Sequence, residues 1–421
     1  MNYKGKKVIF YDHGTFIPLA ERLAEDFGEV LYFSPYNSSF PSSTSTFVGS
    51  GLPGVKRINN FFDYVDEATF DDTLFVFPDV GDGDIQVHLR NIGKRVFGSG
   101  KGEQMELQRD KMKEYMKSIK LDVGKYKVIK GLSKVRDYLK ENDNKWIKIN
   151  IFRGDFETFY AKNYSMIAEV LDDLAIRLGP KSEVTNFIVE DNLDDTVEAG
   201  MDLYSVDGKF PSKCIAGIEI KNASYVAAFK DYVDFPTCLT SFNDAIAPAL
   251  ENFKYRSFFS TEQRVNKQKS YMNDFCARLG SPPSELYIIM YKNISDIMWK
   301  AAEGILVDPI VEHKFGAELL IKSVHADTHW MEVKFPDKLK PYVKLRNCCV
   351  INGKYYMIPR KGEIHEIGAI VASGNTLQEA IDTVKEYAKE VDGYWIEINA
   401  ESLDKAMEES KKLEEYGIKL F

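Results

Sequence analysis

The sequence has few cysteines, and their pattern argues against two classes of site. The five cysteines are an odd number, and no two of them form a Cys-x-x-Cys pair. Neither a disulfide framework nor a zinc site built on clustered cysteines is therefore indicated. The adjacent Cys348 and Cys349 are predicted to be small apolar residues of a strand. This cysteine usage fits a reducing compartment, and we expect the protein to be cytoplasmic.

Long hydrophobic runs and excess basic charge are also missing. No stretch approaches the roughly 18 apolar residues that a membrane-spanning helix needs. Residues Met1–Phe10 combine lysines with only a short apolar run, so we do not expect a secretory leader. The chain has 55 Lys and Arg against 64 Asp and Glu, a net charge of −9. Such a protein is a poor candidate for broad binding to nucleic acid or to an anionic membrane.

Two common nucleotide-binding motifs are absent. No Gly-x-Gly-x-x-Gly follows the first predicted strand, Lys7–Tyr11, which argues against a nicotinamide-dependent oxidoreductase built on the opening segment. The segment Gly98–Glu103 (GSGKGE) has the composition of a phosphate loop. It lacks the spacing, and no Ser or Thr follows its lysine. This segment fits a loop at a domain boundary better than a nucleotide site.

What the sequence does have is room for about three average domains in its 421 residues. The opening alternates apolar strand-like runs with a helical spacing of apolar residues. The predicted elements are the strands Lys7–Tyr11, Val30–Phe33, Thr73–Phe77 and Arg95–Phe97 and the helix Phe16–Phe27. This alternation predicts a parallel sheet that binds ligands at the carboxyl ends of its strands.

Later segments add further elements. Helices are predicted over Glu103–Lys120, Ser284–Ala302 and Thr376–Val391. Thr376 and Glu379 have the spacing of a capping box. The segment Leu319–Phe335 alternates like a strand and contains His325-Ala-Asp-Thr-His329, whose potential metal ligands would then share a face. A zinc site there would still need a fourth ligand, which the sequence does not identify.

Acidic and basic residues alternate on two predicted neighbouring strands. Glu262 and Arg264 are two residues apart and share one side of the first strand. Asp274, Cys276 and Arg278 share one side of the second. Carboxylates together with ATP phosphates commonly hold Mg²⁺, and arginines stabilise a transferring phosphoryl group. The same alternation also fits a ladder of cross-strand salt bridges on a solvated face.

These residues resemble the end of the ATP site in the ATP-grasp superfamily, in particular the phosphoribosylamine–glycine ligase (glycinamide ribonucleotide synthetase) branch. That branch has a Glu on one strand and Glu-x-Asn-x-Arg-x-Gly-Asp-Pro-Glu on the next. In this sequence the matching positions are Glu262, Asp274, Arg278, Gly280 and Pro282. The sequence departs at the Asn, where Cys276 stands, and a thiol is a poor ligand for a hard cation.

The resemblance implies a role for each of several residues. Glu262 and Asp274 would hold Mg²⁺, and Arg278 and Arg264 would stabilise the transition state. Lys111 and Lys148 would bind the ATP phosphates. The segment Asn150–Thr158, where Arg153 or the Gly154 amide would grip phosphate, stands in place of the family's glycine-rich loop. Near the adenine and ribose, the implied residues are Val189 and Asp191 through their backbones, Glu190 as the hinge acid, and Glu198 or Asp202 as the ribose acid.

The resulting prediction is a chain of mixed α/β and α+β class with the ATP-grasp fold. It divides into an N-terminal Rossmann-like domain (1–98), a small lobe (99–183), a large lobe with the Mg²⁺ and ATP site (184–310) and a small C-terminal closing domain (311–421). The implied activity is an ADP-forming carboxylate–amine ligase that acts through an acylphosphate. Its partners would be a small carboxylate and a small amine, and the protein would be a monomer or homodimer.

The sequence points to the N-terminal domain for recognition of the acceptor, through Asp12–Thr15 and Asp79–Asp84. The phosphoribosylamine signals of the family are not recognisable there. The altered phosphate loop and Cys276 also leave open a protein that binds nucleotide or a protein partner without turnover.

Overall fold

The structure, a computed structural model, describes residues 3–35, 47–150, 158–267, 269–360 and 365–421. Within these ranges the chain forms four sheets with helices packed against them. No helix in the described ranges has the length and apolar character needed to cross a membrane.

The first sheet is parallel and has five strands in the order β3-β2-β1-β4-β5. Its strands and helices are β1 (Tyr3–Tyr11), α1 (Ile17–Asp26), β2 (Phe27–Phe33), β3 (Val55–Arg57), β4 (Thr73–Val76), α2 (Gly83–Asn91) and β5 (Arg95–Phe97). The apolar end of β1, Val8–Tyr11, is buried because helices and loops cover the sheet. The parallel sheet predicted from the alternating pattern is confirmed.

The second sheet is antiparallel and has four strands in the order β6-β9-β7-β8. This part of the chain contains α3 (Gln104–Leu107), α4 (Arg109–Ser118), β6 (Tyr126–Lys130), α5 (Leu132–Glu141), β7 (Lys145–Ile149), β8 (Thr158–Ala161), α6 (Tyr164–Leu178) and β9 (Asn186–Asp191). Its apolar residues form a hydrophobic cluster of their own, in which Leu171 and Phe187 are fully buried. The side chain of Asn163 caps α6 by accepting a hydrogen bond from the Met166 amide.

The third and largest sheet has eight strands in the order β14-β13-β10-β11-β12-β15-β20-β17, all antiparallel. Its strands are β10 (Val197–Val206), β11 (Lys213–Ile220), β12 (Ser224–Asp231), β13 (Arg256–Val265), β14 (Ser270–Cys276), β15 (Phe315–Lys322), β17 (Val343–Leu345) and β20 (Glu366–Gly374). The helices within this stretch are α7 (Thr237–Asn252), α8 (Ser284–Met290) and α9 (Ile294–Ala302).

The remaining elements form a small three-stranded sheet and two helices. The strands are β16 (Met331–Val333), β18 (Cys348–Ile351) and β19 (Lys354–Met357), and the helices are α10 (Leu377–Ala388) and α11 (Ser402–Glu415). The large sheet continues across the boundary proposed near residue 310, because β12 pairs with β15. The closing segment therefore shares a hydrogen-bonded sheet with the residues that precede it.

Several local predictions can be compared with these elements. The Thr376 hydroxyl accepts a hydrogen bond from the Glu379 amide, as the capping box requires. The single helix predicted over Ser284–Ala302 is wrong, since α8 ends at Met290 and α9 begins at Ile294. The helix predicted over Glu103–Lys120 is likewise interrupted at Gln108.

The strand predicted over Leu319–Phe335 is wrong around its histidines. β15 ends at Lys322, and the chain turns through His325–His329 before β16 begins. The amide of His329 donates to the carbonyl of His325, which closes one turn. The two imidazoles stack with centroids 4.4 Å apart, and Asp327 pairs instead with His365. The three predicted metal ligands therefore do not share the face of a strand.

Candidate ATP and metal site

A pocket opens on one face of the large sheet because glycines leave space there. Gly200 on β10 lies opposite Gly217 on β11 and opposite Glu262 on β13. Directly opposite residues project from the same face of an antiparallel sheet. Among the described residues, a Cβ on Gly200 would meet only the Thr261 carbonyl, at 3.4 Å. The pocket is lined by Glu198, Gly200, Asp202, Gly217, Glu219, Tyr225, Ser260, Glu262, Cys276, Arg278, Gly280, Ser281 and Pro282.

Tyr225 forms part of the pocket wall. Its ring lies over Gly217, where a Cβ would stand 2.4 Å from the ring carbon Cζ. Its hydroxyl donates to Asp202, which is almost fully buried. Burial raises the pKa of Asp202 to about 6, against the opposing effect of the Tyr225 hydrogen bond. Asp202 is thus held by the protein and does not project openly towards a ribose.

Three glutamates converge in this pocket. One carboxylate oxygen from each of Glu198, Glu219 and Glu262 lies within 4.8 Å of the other two. Carboxylate oxygens are the ligands that a hard divalent cation prefers, so this group fits Mg²⁺. Burial and the neighbouring Glu198 and Asp274 carboxylates raise the pKa of Glu262 to about 7, because Glu262 shares its surroundings with other negative charges.

Basic side chains border the three glutamates. Arg264, which sequence analysis assigned to the transition state, forms an ion pair with Glu198. Burial alone would lower the pKa of Lys221, but Glu262, Glu219 and Glu198 together raise it. The cluster is therefore partly neutralised by residues of the protein itself.

A second charged group surrounds Lys148, which is buried on β7. Its Nζ lies 3.4 Å from Glu190 Oε2 and 3.6 Å from Asp274 Oδ2. It also donates to the Asn273 carbonyl at 3.4 Å. Burial alone would lower the pKa of Lys148, but Glu190 and Asp274 outweigh that effect and raise it. Lys148 is therefore a fixed cation between the four-stranded sheet and the end of the large sheet.

Glu190 also forms an ion pair with a second lysine, Lys113 of α4, whose Nζ lies 2.7 Å from Glu190 Oε1. Lys113 is buried, whereas Lys111 is exposed. Side chains two positions apart on an α-helix point about 200° away from each other, so only one of these two lysines can face the cluster. The sequence selected Lys111 as the phosphate lysine, but the structure places Lys113 beside Lys148.

Asp274 belongs to both charged groups. It lies directly opposite Glu262 in the pairing of β13 with β14. Burial would raise its pKa, but Lys148 and Arg109 outweigh that effect and hold the pKa at about 2. Asp274 is therefore a carboxylate already paired with cations, while the three glutamates lie close together in the pocket.

Arg278 follows β14 and lies at the pocket's border with the parallel sheet. Its Nε donates to Glu106 at 3.2 Å and lies 3.5 Å from Asp79 Oδ1. The second oxygen of Glu106 accepts from the Ala277 amide at 2.7 Å. These contacts fix the Arg278 backbone and side chain, so its guanidinium has a set position at the edge of the pocket.

The predicted adenine contacts fall on a central strand. Val189 on β9 is paired with β6 on one side and with β7 on the other. The Asp191 amide donates to the Lys125 carbonyl at 3.0 Å. An adenine contact through that amide would require this hydrogen bond to break. The predicted phosphate contacts of Arg153 and Gly154 lie outside the described residues.

The two predicted ribose acids both line the pocket of the large sheet. Glu198 is one of the three converging glutamates, and Asp202 is bound by Tyr225. The motifs recognised in the sequence do not include Glu219, Lys221, Lys113 or Tyr225. The alternation of Glu219 and Lys221 at the end of β11 was a local signal for the first two. For Lys113 the signal was the helical position of a lysine among apolar residues.

No family model matches the sequence, and no curated protein matches it. Solved structures do match the fold over nearly the whole chain. Phosphoribosylamine–glycine ligase from Thermotoga maritima has a TM-score of 0.68 at 14% identity, over 93% of this chain and 98% of that chain. The L-amino acid ligase from Bacillus licheniformis has a TM-score of 0.61 at 14% identity, over 94% and 99%.

A third similar structure contains bound nucleotide. It is the biotin carboxylase domain of 2-oxoglutarate carboxylase from Hydrogenobacter thermophilus, a dimer in complex with MgADP and bicarbonate. It has a TM-score of 0.67 at 12% identity, over 98% of each chain. These are ATP-grasp proteins, and the chain has the ATP-grasp fold. The fold predicted from the Glu262–Glu285 motif is confirmed.

Proposed function

We propose that the protein is an ADP-forming carboxylate–amine ligase that uses ATP and Mg²⁺. The observation that carries the proposal is the position of buried Lys148 between Glu190 and Asp274, next to the pocket where Glu198, Glu219 and Glu262 converge. A fixed cation beside a set of carboxylates suits a magnesium nucleotide, whose phosphates need positive charge and whose metal needs oxygen ligands. The ATP-grasp fold and the MgADP complex of one similar structure support this proposal.

Each group in the site has a proposed task. Lys148 and Lys113 bind and orient the phosphates, and Glu190 holds the two ammonium groups in place. Glu198, Glu219 and Glu262 fit Mg²⁺ as oxygen donors. The pKa values of Glu219 and Glu262 are raised, so any proton on these two carboxyl groups must leave before a metal binds. Arg278 neutralises the negative charge of the substrate carboxylate. It also neutralises the charge of the phosphoryl group that is transferred to that carboxylate.

The proposed reaction asks for little covalent chemistry from the protein. ATP supplies a phosphoryl group that turns the substrate carboxylate into an acylphosphate, and an amine then displaces phosphate. Charged side chains hold the reacting groups in line, and the walls of the pocket limit the access of water to the acyl group. Most of the rate enhancement would come from positioning and charge neutralisation.

An ADP-release assay over a panel of amino acids and amines tests this function. We expect ADP formation that depends on both a carboxylate and an amine, and a loss of at least tenfold in kcat for Arg278→Lys. Lysine keeps the charge but cannot reproduce the paired contacts of the guanidinium. Arg136→Lys, in the ion pair that joins α5 to Asp172 of α6, is the matched control and should retain activity. Equal ADP formation by wild type and Arg278→Lys would refute the assignment of Arg278.

The alternative is a protein that binds nucleotide without turnover. It is favoured by Cys276, which replaces the family's metal-binding amide, and by Asp274, which Lys148 and Arg109 already neutralise. A thermal shift with Mg-ATP separates the two functions. Stabilisation by Mg-ATP together with no ADP formation across the whole panel would favour the binding protein.

A further inference from the structure

The parallel sheet has a topological switch point, and the two loops at this point are unusual in their charge. The strand order β3-β2-β1-β4-β5 reverses between β1 and β4. In open parallel sheets, ligands bind outside the carboxyl ends of the strands at such a point. The loops here are residues 12–16 after β1 and residues 77–82 after β4, and each leads into a helix. Helix N-termini in this position offer backbone amides that commonly bind phosphate.

In this chain the amides are already occupied by carboxylates of the protein. Asp12 Oδ2 accepts from the amides of Gly14 at 3.1 Å and Phe16 at 2.9 Å. Glu103 Oε2 accepts from the amides of Gly81 at 2.8 Å and Gly83 at 2.9 Å. A phosphate at either loop would have to displace a carboxylate and then lie beside it, at a high electrostatic cost. The switch point is therefore unsuited to a phosphorylated ligand.

The charge that remains at this edge is negative. Asp79 contacts Arg278 at 3.5 Å, and Asp82 Oδ2 lies 3.1 Å from His13 Nε2. Asp12 is fully buried, and its Oδ1 has no hydrogen-bond partner within the part of the chain that the structure describes. A buried acceptor without a donor is unfavourable, and an N–H group brought by a ligand would supply the missing donor. Burial and Asp79 raise the pKa of Asp12, whereas His13 lowers it, so Asp12, His13 and Asp79 interact as one charged group.

We propose that this acidic edge (Asp12, His13, Asp79 and Asp82) binds the ammonium group of a small amine that carries no phosphate. In the ligase this amine is the acceptor, and that assignment rests on the function proposed above. Arg278 joins the two regions, because it lines the pocket and contacts Asp79. An amine held at the edge therefore lies at the border of the pocket where the acyl group would form. Phosphorylated amines are excluded by the same carboxylates.

Binding of 1,4-diaminobutane, inorganic phosphate and ribose 5-phosphate to the full chain, measured by calorimetry at pH 7.5, tests the proposal. We expect the diamine to bind and the two phosphates not to bind. Asp82→Asn keeps the shape of the side chain and removes its charge, so it should weaken diamine binding at least tenfold. The matched control is Asp66→Asn, at an exposed position of the same part of the chain, and its affinity should stay within twofold.

Three results would overturn the proposal: no diamine binding at millimolar concentration, tighter binding of either phosphate compound, or unchanged affinity in Asp82→Asn. The unfolding temperature of each variant shows that the comparison concerns folded protein. Failure of the ligase is a separate outcome, because ADP release is measured independently. Diamine binding that depends on Asp82, without ADP formation on the substrate panel, would support the acidic edge and reject the ligase.

Discussion

Glu262 and Asp274 lie directly opposite each other on β13 and β14, yet their carboxyl groups have pKa values shifted in opposite directions. The pKa of Glu262 is raised to about 7 by burial and by Glu198 and Asp274. That of Asp274 is held at about 2, because Lys148 and Arg109 outweigh its burial. Two acids that look equivalent in the sequence are thus different chemical groups at neutral pH.

Glu262→Gln should stabilise the chain when no metal is bound. The folded-state pKa of about 7 exceeds the ordinary value of 4.5, so wild type loses stability as pH rises between these values. The loss is at most about 3 kcal/mol. At pH 8 without Mg²⁺ the variant should therefore unfold at a higher temperature than wild type, and at pH 4.5 the difference should disappear.

The same substitution should have the opposite effect with Mg-ATP, because it removes a proposed metal ligand. Unfolding temperatures measured by calorimetry with and without Mg-ATP check both halves of the prediction. Glu67→Gln, at an exposed position, is the control for the loss of one charge. A variant less stable than wild type at pH 8 without metal would contradict the assigned pKa.

Lys113→Met and Lys111→Met form a matched pair on one helix. Lys113 is buried against Glu190, and Lys111 is exposed. We expect Lys113→Met to weaken Mg-ATP binding at least tenfold, because a positive charge beside the phosphates is lost. Lys111→Met should change the affinity less than twofold. Titration calorimetry measures both, and a larger effect at Lys111 would restore the assignment made from the sequence.

Gly217→Ala and Gly200→Ala should differ although the two residues face each other. A Cβ on Gly217 would stand 2.4 Å from Tyr225 Cζ and 2.4 Å from the Val226 carbonyl. Such overpacking costs about 1–3 kcal/mol and should displace Tyr225 from Asp202. In the part of the chain that the structure describes, the Cβ of Gly200→Ala meets nothing closer than 3.4 Å, so stability should change by less than about 1 kcal/mol. Urea unfolding of both variants tests the contrast. Equal losses in the free energy of unfolding would contradict the close contact between Gly217 and the Tyr225 ring.

Thr376→Ala should lower the free energy of unfolding by about 1 kcal/mol, because the hydroxyl caps α10 by accepting from the Glu379 amide. Thr383 on the same helix donates to the Glu379 carbonyl and caps nothing. Thr383→Ala should therefore be neutral or slightly stabilising, since alanine has the higher helix propensity. Urea unfolding measures both changes. Equal losses in the free energy of unfolding would show that the Thr376 hydroxyl does not stabilise α10 as a cap.

Much of the fold could be predicted because it depends on local pattern. The buried run at the end of β1, the turn-rich segment after β4 and the capping box at Thr376 are properties of neighbouring residues. The pairing of Glu262 with Asp274 also followed from two adjacent strands with acids at matching positions. Local reasoning failed at Leu319–Phe335, where alternation predicted a strand and the chain instead turns at His325.

The sequence by itself determined the fold class, the parallel opening sheet and the carboxylates of β13 and β14, since side-chain periodicity and motif spacing are written in the order of residues. Only the tertiary structure decided which groups act together. It brought Glu219 of β11 beside Glu198 and Glu262, and it turned Lys113 rather than Lys111 towards Lys148. The physical reason is that sheet register and helix rotation bring together residues that are distant in sequence. Burial and neighbouring charge then set the pKa of each one.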